Sequence, residues 1–147
     1  MARIISFART TPALLAGRKT VTRRAWNPRY AQSFKAGELV QAWNQSQRVR
    51  GAHQVAWIRL IQAPCLEPMS AMPDSDYEAE GFKYLNENHN SATWEGFEWW
   101  RNNGDSMWVV RFKLVTAFKM LITCMASSKF QAVEMVMVLV EHPYSDH

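Results

Sequence analysis

The run Thr10-Thr11-Pro12-Ala13-Leu14-Leu15-Ala16-Gly17 constrains the fold most, because it opens and closes a helix within two turns. Threonine is a good N-cap and proline suits the first helical position. Positions 13–16 are helix formers, and Gly17 stands where a left-handed glycine stops the helix. From Thr20 the pattern Thr-Val-Thr-Arg-Arg changes to period two, as in a strand. A short helix must therefore hand over to a strand within a few residues. In that strand Thr20, Thr22 and Arg24 point one way and Val21 and Arg23 the other. Lys19, in the turn, can fold over the same side as Thr22.

The rest of the chain is punctuated as closely. Ile4-Ile5-Ser6-Phe7 reads as an opening strand. A Lys-Ala-Gly-Glu turn at 35–38 leads into a strand over 39–43, and the polar stretch 44–51 suits a hairpin connection. The return strand over 53–62 would set Val55, Trp57 and Arg59 on one face and Ala56, Ile58 and Leu60 on the other. Pro64 and Pro68 end it, since proline cannot donate to a sheet ladder. Ser75 and Glu78 have capping-box spacing, which predicts a helix over 76–86 with Gly81 weakening its middle. A second helix is predicted over 93–101, with Trp94, Phe97 and Trp100 as its apolar face, closed by a turn at 102–105. Residues 107–113 read as a strand.

Short strands around two or three helices, with no repeated βαβ unit, predict an α+β domain. Its sheet would be small, mixed or antiparallel, and closed towards a β-barrel. At 147 residues one domain is expected. Residues 114–147 are less legible: 114–125 are apolar around Lys119, Ser127-Ser128 punctuates, and 134–140 are rich in Met and Val. This extension reads equally as helix, as strand, or as a segment packed on a second copy in a homodimer.

Charge narrows the function. Residues 1–50 hold ten Lys/Arg against the single Glu38, whereas the remaining 97 residues hold seven bases and twelve acids, nine of them between Glu67 and Asp105. Such a split predicts a basic face suited to an anionic or polynucleotide partner. Cys65 and Cys124 are far apart and have no further Cys or His at metal spacing, so neither a zinc site nor a disulfide framework is expected. No apolar run reaches the roughly 18–20 residues of a membrane span, and a cytoplasmic protein without metal or cofactor is the expectation.

Gly17, Lys19, Thr22 and Arg24 form G-x-K-x-x-T-x-R. This resembles the signature of the ASCH superfamily, whose β-barrel is similar to the PUA RNA-binding domain. The resemblance runs from about Ile4 to Lys113 and takes in the Lys-Ala-Gly-Glu turn, Glu80-Gly81-Phe82 and the strand around Trp108. Residues 1–113 would be the ASCH-like domain and 114–147 an extension. Within the superfamily the chain is most similar to small bacterial enzymes that hydrolyse N4-acetylcytidine to cytidine and acetate. The resemblance implies Lys19, Thr22 and Glu80 as catalytic residues, with Glu78 as the alternative acid.

The chemistry is coherent. A threonine hydroxyl needs an adjacent base, and a lysine serves if burial and neighbouring cations lower its pKa. Arg18, Arg23 and Arg24 are the cations nearest in sequence, and Arg23 and Arg24 would bind substrate or the oxyanion. A carboxylate at Glu80 would raise the lysine pKa, so the two must be apart or Glu80 must be protonated when it acts. Phe7 or Trp108 would stack on the pyrimidine. The Trp-rich segment 88–104 would widen the site for bulkier acyl groups. The alternative function is an RNA-binding module or ribonuclease using the same basic cleft.

Overall fold

The chain begins with β1 (Ile4–Ser6), a 3-10 turn and α1 (Thr11–Leu15), then β2 (Val21–Arg24), α2 (Pro28–Gln32), β3 (Leu39–Trp43), β4 (Gln54–Leu60) and β5 (Cys65–Glu67). Three helices follow, α3 (Asp76–Ala79), α4 (Phe82–His89) and α5 (Trp94–Asn103), and the last strands are β6 (Met107–Cys124) and β7 (Val133–Glu141). The computed structural model describes residues 2–124 and 133–141, with side chains as far as Phe118. The fold is α+β, a curled half-barrel sheet carrying five helices.

The long strand β6 organises the sheet. Its first half is gripped on one edge by β2, with Thr22 opposite Val110, and on the other by β5. Further along, β4 pairs with residues 112–117, and β7 runs antiparallel from Thr116 onward. β3 joins β4 antiparallel, and β1 pairs with β3 in parallel. Bulges at Ala42/Trp43 and Trp57/Ile58 interrupt the register, and extra residues of this kind increase twist and curl a sheet.

Two cores form. One fills the inside of the sheet with Phe7, Leu14, Phe34, Ile58, Leu60 and Phe112. The other lies under the helices, around Met69, Met72, Phe82, Leu85 and Phe97. Adjacent α1 residues divide between them, Leu14 in the first and Ala13 in the second. The short helix is thus the joint between sheet and helical layer, and Gly17, at φ +73°, ends it as the sequence predicts.

Some expectations are corrected. The helix over 76–86 is two helices, because Gly81 takes φ +89° and breaks it. Ser75 makes no side-chain cap. Thr10 and Thr11 do not cap α1 either: their hydroxyls donate to the carbonyls of Phe7 and Ala8 in the preceding 3-10 turn. Residues 102–103 belong to α5, and Thr93, expected inside the helix, instead caps its N-terminus by accepting from the Gly96 amide. α2, started by Asn27 accepting from the Arg29 amide (2.9 Å), is an element the sequence reading passed over. The strand expected over 107–113 continues unbroken to Cys124, and residues 133–141 form a strand beside it. Ser127-Ser128 lies outside the described residues. Among the described residues no helix is long and apolar enough to cross a membrane.

Candidate functional site

Gly17 turns the chain out of α1, with the amides of Arg18 and Lys19 both donating to the Ala13 carbonyl. The Thr20 amide then donates to the Ala79 carbonyl (2.8 Å) at the end of α3, and the Thr20 carbonyl accepts from Phe112 (3.0 Å) on β6. The start of β2 is thereby pinned between the broken helix and the central strand. Gly81 makes the approach possible: a Cβ there would lie 2.6 Å from Ala13 Cβ and 3.3 Å from Lys19 Cβ. A residue without a side chain lets the α3–α4 break press Glu80 against Lys19.

An ion cluster results. Lys19 Nζ donates to the Glu80 carbonyl (2.8 Å) and to Glu80 Oε2 (3.0 Å). Glu80 Oε1 accepts from Arg23 (2.8 Å), whose other guanidinium nitrogen donates to Asp76 Oδ2 (2.5 Å). Arg111, from β6, donates to both Asp76 oxygens at 3.2 and 3.0 Å. Lys19 and Glu80 are each only 2% exposed, and Arg23 and Asp76 are buried with them. A buried ion cluster is tolerated only when every member is hydrogen-bonded, and among the described residues no buried side-chain nitrogen or oxygen lacks a partner.

Burial holds the Lys19 amine below the ordinary lysine pKa. The charge and hydrogen bond of Glu80 push the other way, and the Arg24 and Arg23 cations add to the lowering. Desolvation wins because the ammonium has lost its water on all sides.

Thr22, on β2, is buried and accepts from Arg24 Nε at 3.3 Å. Arg24, half-buried, also donates to the Ser6 carbonyl, and its guanidinium carbon stands 5.6 Å from the Phe7 ring centroid. Phe7 is buried edge-to-face on Phe112, and Trp108 is buried on β6 opposite Arg24.

Several site residues expected from the sequence therefore meet, with different partners. The Lys19 amine is turned to Glu80, and no hydrogen bond joins it to Thr22. Glu80 is the carboxylate beside Lys19; Glu78 is exposed and paired with Arg18 (2.7 Å), which holds its carboxyl below the usual range. Arg23 is committed to Glu80 and Asp76 rather than facing an open surface. Asp76 and Arg111 were missed. The four-residue spacing of Asp76 and Glu80 was the available signal, since it sets both on one side of a helical turn. Nothing in the linear sequence brings Arg111 to them; the register of β6 against β2, with Arg111 opposite Val21, does. Among the described residues no group of three or more His, Cys, Asp or Glu is arranged to hold a metal ion.

No protein-family model and no curated protein matches the chain. Among solved structures, it is similar to the crystal structure of protein EF3133 from Enterococcus faecalis V583, of family DUF984. The TM-score is 0.49 at 22% identity, over 78% of this chain and 77% of that one.

Proposed function

We propose that the protein is an amidohydrolase of the ASCH, PUA-like type that cleaves the N4-acyl amide of N4-acetylcytidine or a related N4-acylcytosine nucleoside, giving cytidine and a carboxylic acid. The observation that carries this reading is the buried Lys19–Glu80 pair together with the buried Thr22 that accepts from Arg24, whose charge acts on Lys19.

A single proton shift across the 3.0 Å contact from Nζ to Oε2 converts the ion pair into a neutral amine and a carboxylic acid. Burial disfavours the charged form of Lys19. The neutral pair holds the two states the reaction needs. The amine takes the Thr22 proton once substrate displaces the resting contacts, and Thr22 Oγ1 attacks the acyl carbonyl. The Arg24 guanidinium, already at Thr22, stabilises the oxyanion. As the tetrahedral intermediate collapses, the bond from carbon to N4 breaks and Glu80 gives its proton to the leaving amine. Water then releases the acid from the acyl-threonine. Arg23 and Asp76 orient Glu80 in this scheme, and Phe7 stacks behind Arg24. Contact of Trp108 with the pyrimidine remains part of the proposal.

The alternative, an RNA-binding module or ribonuclease, draws on the N-terminal excess of cations. Four of those ten, Arg3, Arg18, Lys19 and Arg23, form ion pairs with Glu38, Glu78, Glu80 and Asp76 inside the chain. Less of the excess is left for phosphates, and the nucleoside reading is preferred.

The test is to incubate the protein with N4-acetylcytidine and follow cytidine by chromatography. Turnover is expected from the wild type, with a fall of about 10³-fold or more in Thr22→Ala. The resting ion pair and the working neutral pair carry the same single proton, so the rate should fall as pH rises through an apparent pKa below the ordinary lysine range, where the pair loses that proton and Glu80 can no longer give it. Absence of turnover, or full turnover by Thr22→Ala, would overturn the proposal.

A further inference from the structure

Among the described residues, three other than glycine hold a left-handed backbone: Ala8 (φ 46°), Asn90 (φ 50°) and Ala92 (φ 59°). Asparagine visits this region readily, but alanine has no polar side chain to favour it. Strain of this kind concentrates where a ligand is gripped. Ala92 lines a groove, and Ala8 is the chain neighbour of Arg9, which lines the same groove. Tyr77 Oη donates to the Ala92 carbonyl (2.9 Å) and braces that side.

The groove has a volume of about 610 Å³ and is walled by Phe82, Phe97, Trp99 and Trp100. Phe97 anchors the wall in the helical core, while Trp99 leaves 68% of its surface in solvent. The Arg9 guanidinium carbon lies 6.0 Å from the Phe82 ring centroid, and among the described residues Arg9 makes no ion pair. An unpaired cation at the mouth of an aromatic groove suits a ligand with one planar face and one anionic group. The volume lies within the range of small-ligand sites.

We propose that this groove is a binding site for a nucleoside monophosphate, the base lying against the Trp99, Trp100 and Phe82 rings and the phosphate on Arg9. The site is separate from the Lys19–Glu80 cluster and does not depend on the hydrolytic reading. AMP is the appropriate probe, because adenine carries no N4-acyl amide and is not the nucleoside proposed for the other site.

Calorimetric titration of the full-length protein with AMP, adenosine and inorganic phosphate tests it. AMP should bind saturably at one site. The variant Arg9→Gln should weaken AMP by about tenfold and leave adenosine unchanged, since only the phosphate loses a partner. The variant Trp99→Ala should weaken both by about fivefold or more through lost stacking. Both positions are exposed, so each variant should melt as the wild type does. Thr22→Ala should leave AMP binding unchanged. Failure of AMP to bind at millimolar concentration, phosphate alone binding as well as AMP, or loss of binding in Thr22→Ala but not in Arg9→Gln would overturn the proposal.

Discussion

Single residues decide whether this site exists. Gly81 is the clearest, because it combines a left-handed φ of +89° with an approach that leaves no room for a Cβ beside Ala13. Replacing it with alanine strains the backbone and also forces α1 away from the α3–α4 break. Gly81→Ala should lose about 2–4 kcal/mol of stability, read as a lowered denaturant midpoint. Hydrolysis should fall more steeply than stability, since the displaced break carries Glu80 away from Lys19. A variant as stable as the wild type would show that the close approach is not needed. Gly81 was visible in the sequence as a weak point in a helix. Its use as a contact surface was not, because the residue it faces, Ala13, is far away in the chain.

At the scale of elements, short pieces are held by side chains that reach across them. β1 is three residues long and, among the described residues, sits at an edge, paired with β3 alone. Arg3, just before it, forks onto both oxygens of Glu38 at 2.8 and 2.7 Å, with its guanidinium carbon 3.5 Å from the Phe34 ring centroid. The hydrogen bond from Arg3 holds the Glu38 carboxyl below its usual range. A depressed carboxyl pKa contributes stability that is present above the unfolded value and is lost as pH falls through the folded one. Glu38→Gln should therefore speed exchange of the Gln41 amide, which donates to the Arg3 carbonyl, at neutral pH, and the difference from wild type should vanish in acid. An exchange rate unaffected by the substitution at neutral pH would deny the clamp any part in holding β1. The turn at 35–38 was legible from its glycine, but the partner of Glu38 was not, because the pairing joins segments 35 residues apart.

For the whole molecule, β6 is the piece on which the sheet depends. Leu114 and Ala117, past position 113, are buried in the core, and residues 114–117 pair with Trp57, Ala56 and Ile58 of β4. A chain ending at Lys113 should fail to melt cooperatively, whereas one ending at Phe118 keeps every pairing with β4 and should melt as a folded protein. Equal melting of the two would show that residues 114–118 are dispensable. The chain by itself determined the most strongly punctuated local structure: the short helix ended by Gly17, the period-two strand after it, a helix over most of 93–101 and the α+β class. Those features follow from backbone preferences and near neighbours, which the order of residues states directly. Only the tertiary structure decided which charges meet. It set Lys19 on Glu80, Arg23 on Asp76 and Arg111 on the same carboxylate. Three of the ten bases of residues 1–50, Arg18, Lys19 and Arg23, are thereby paired with acids of the helical segment. Long-range pairing depends on strand register and on the break at Gly81, and a desolvated charge takes whichever partner those bring within reach.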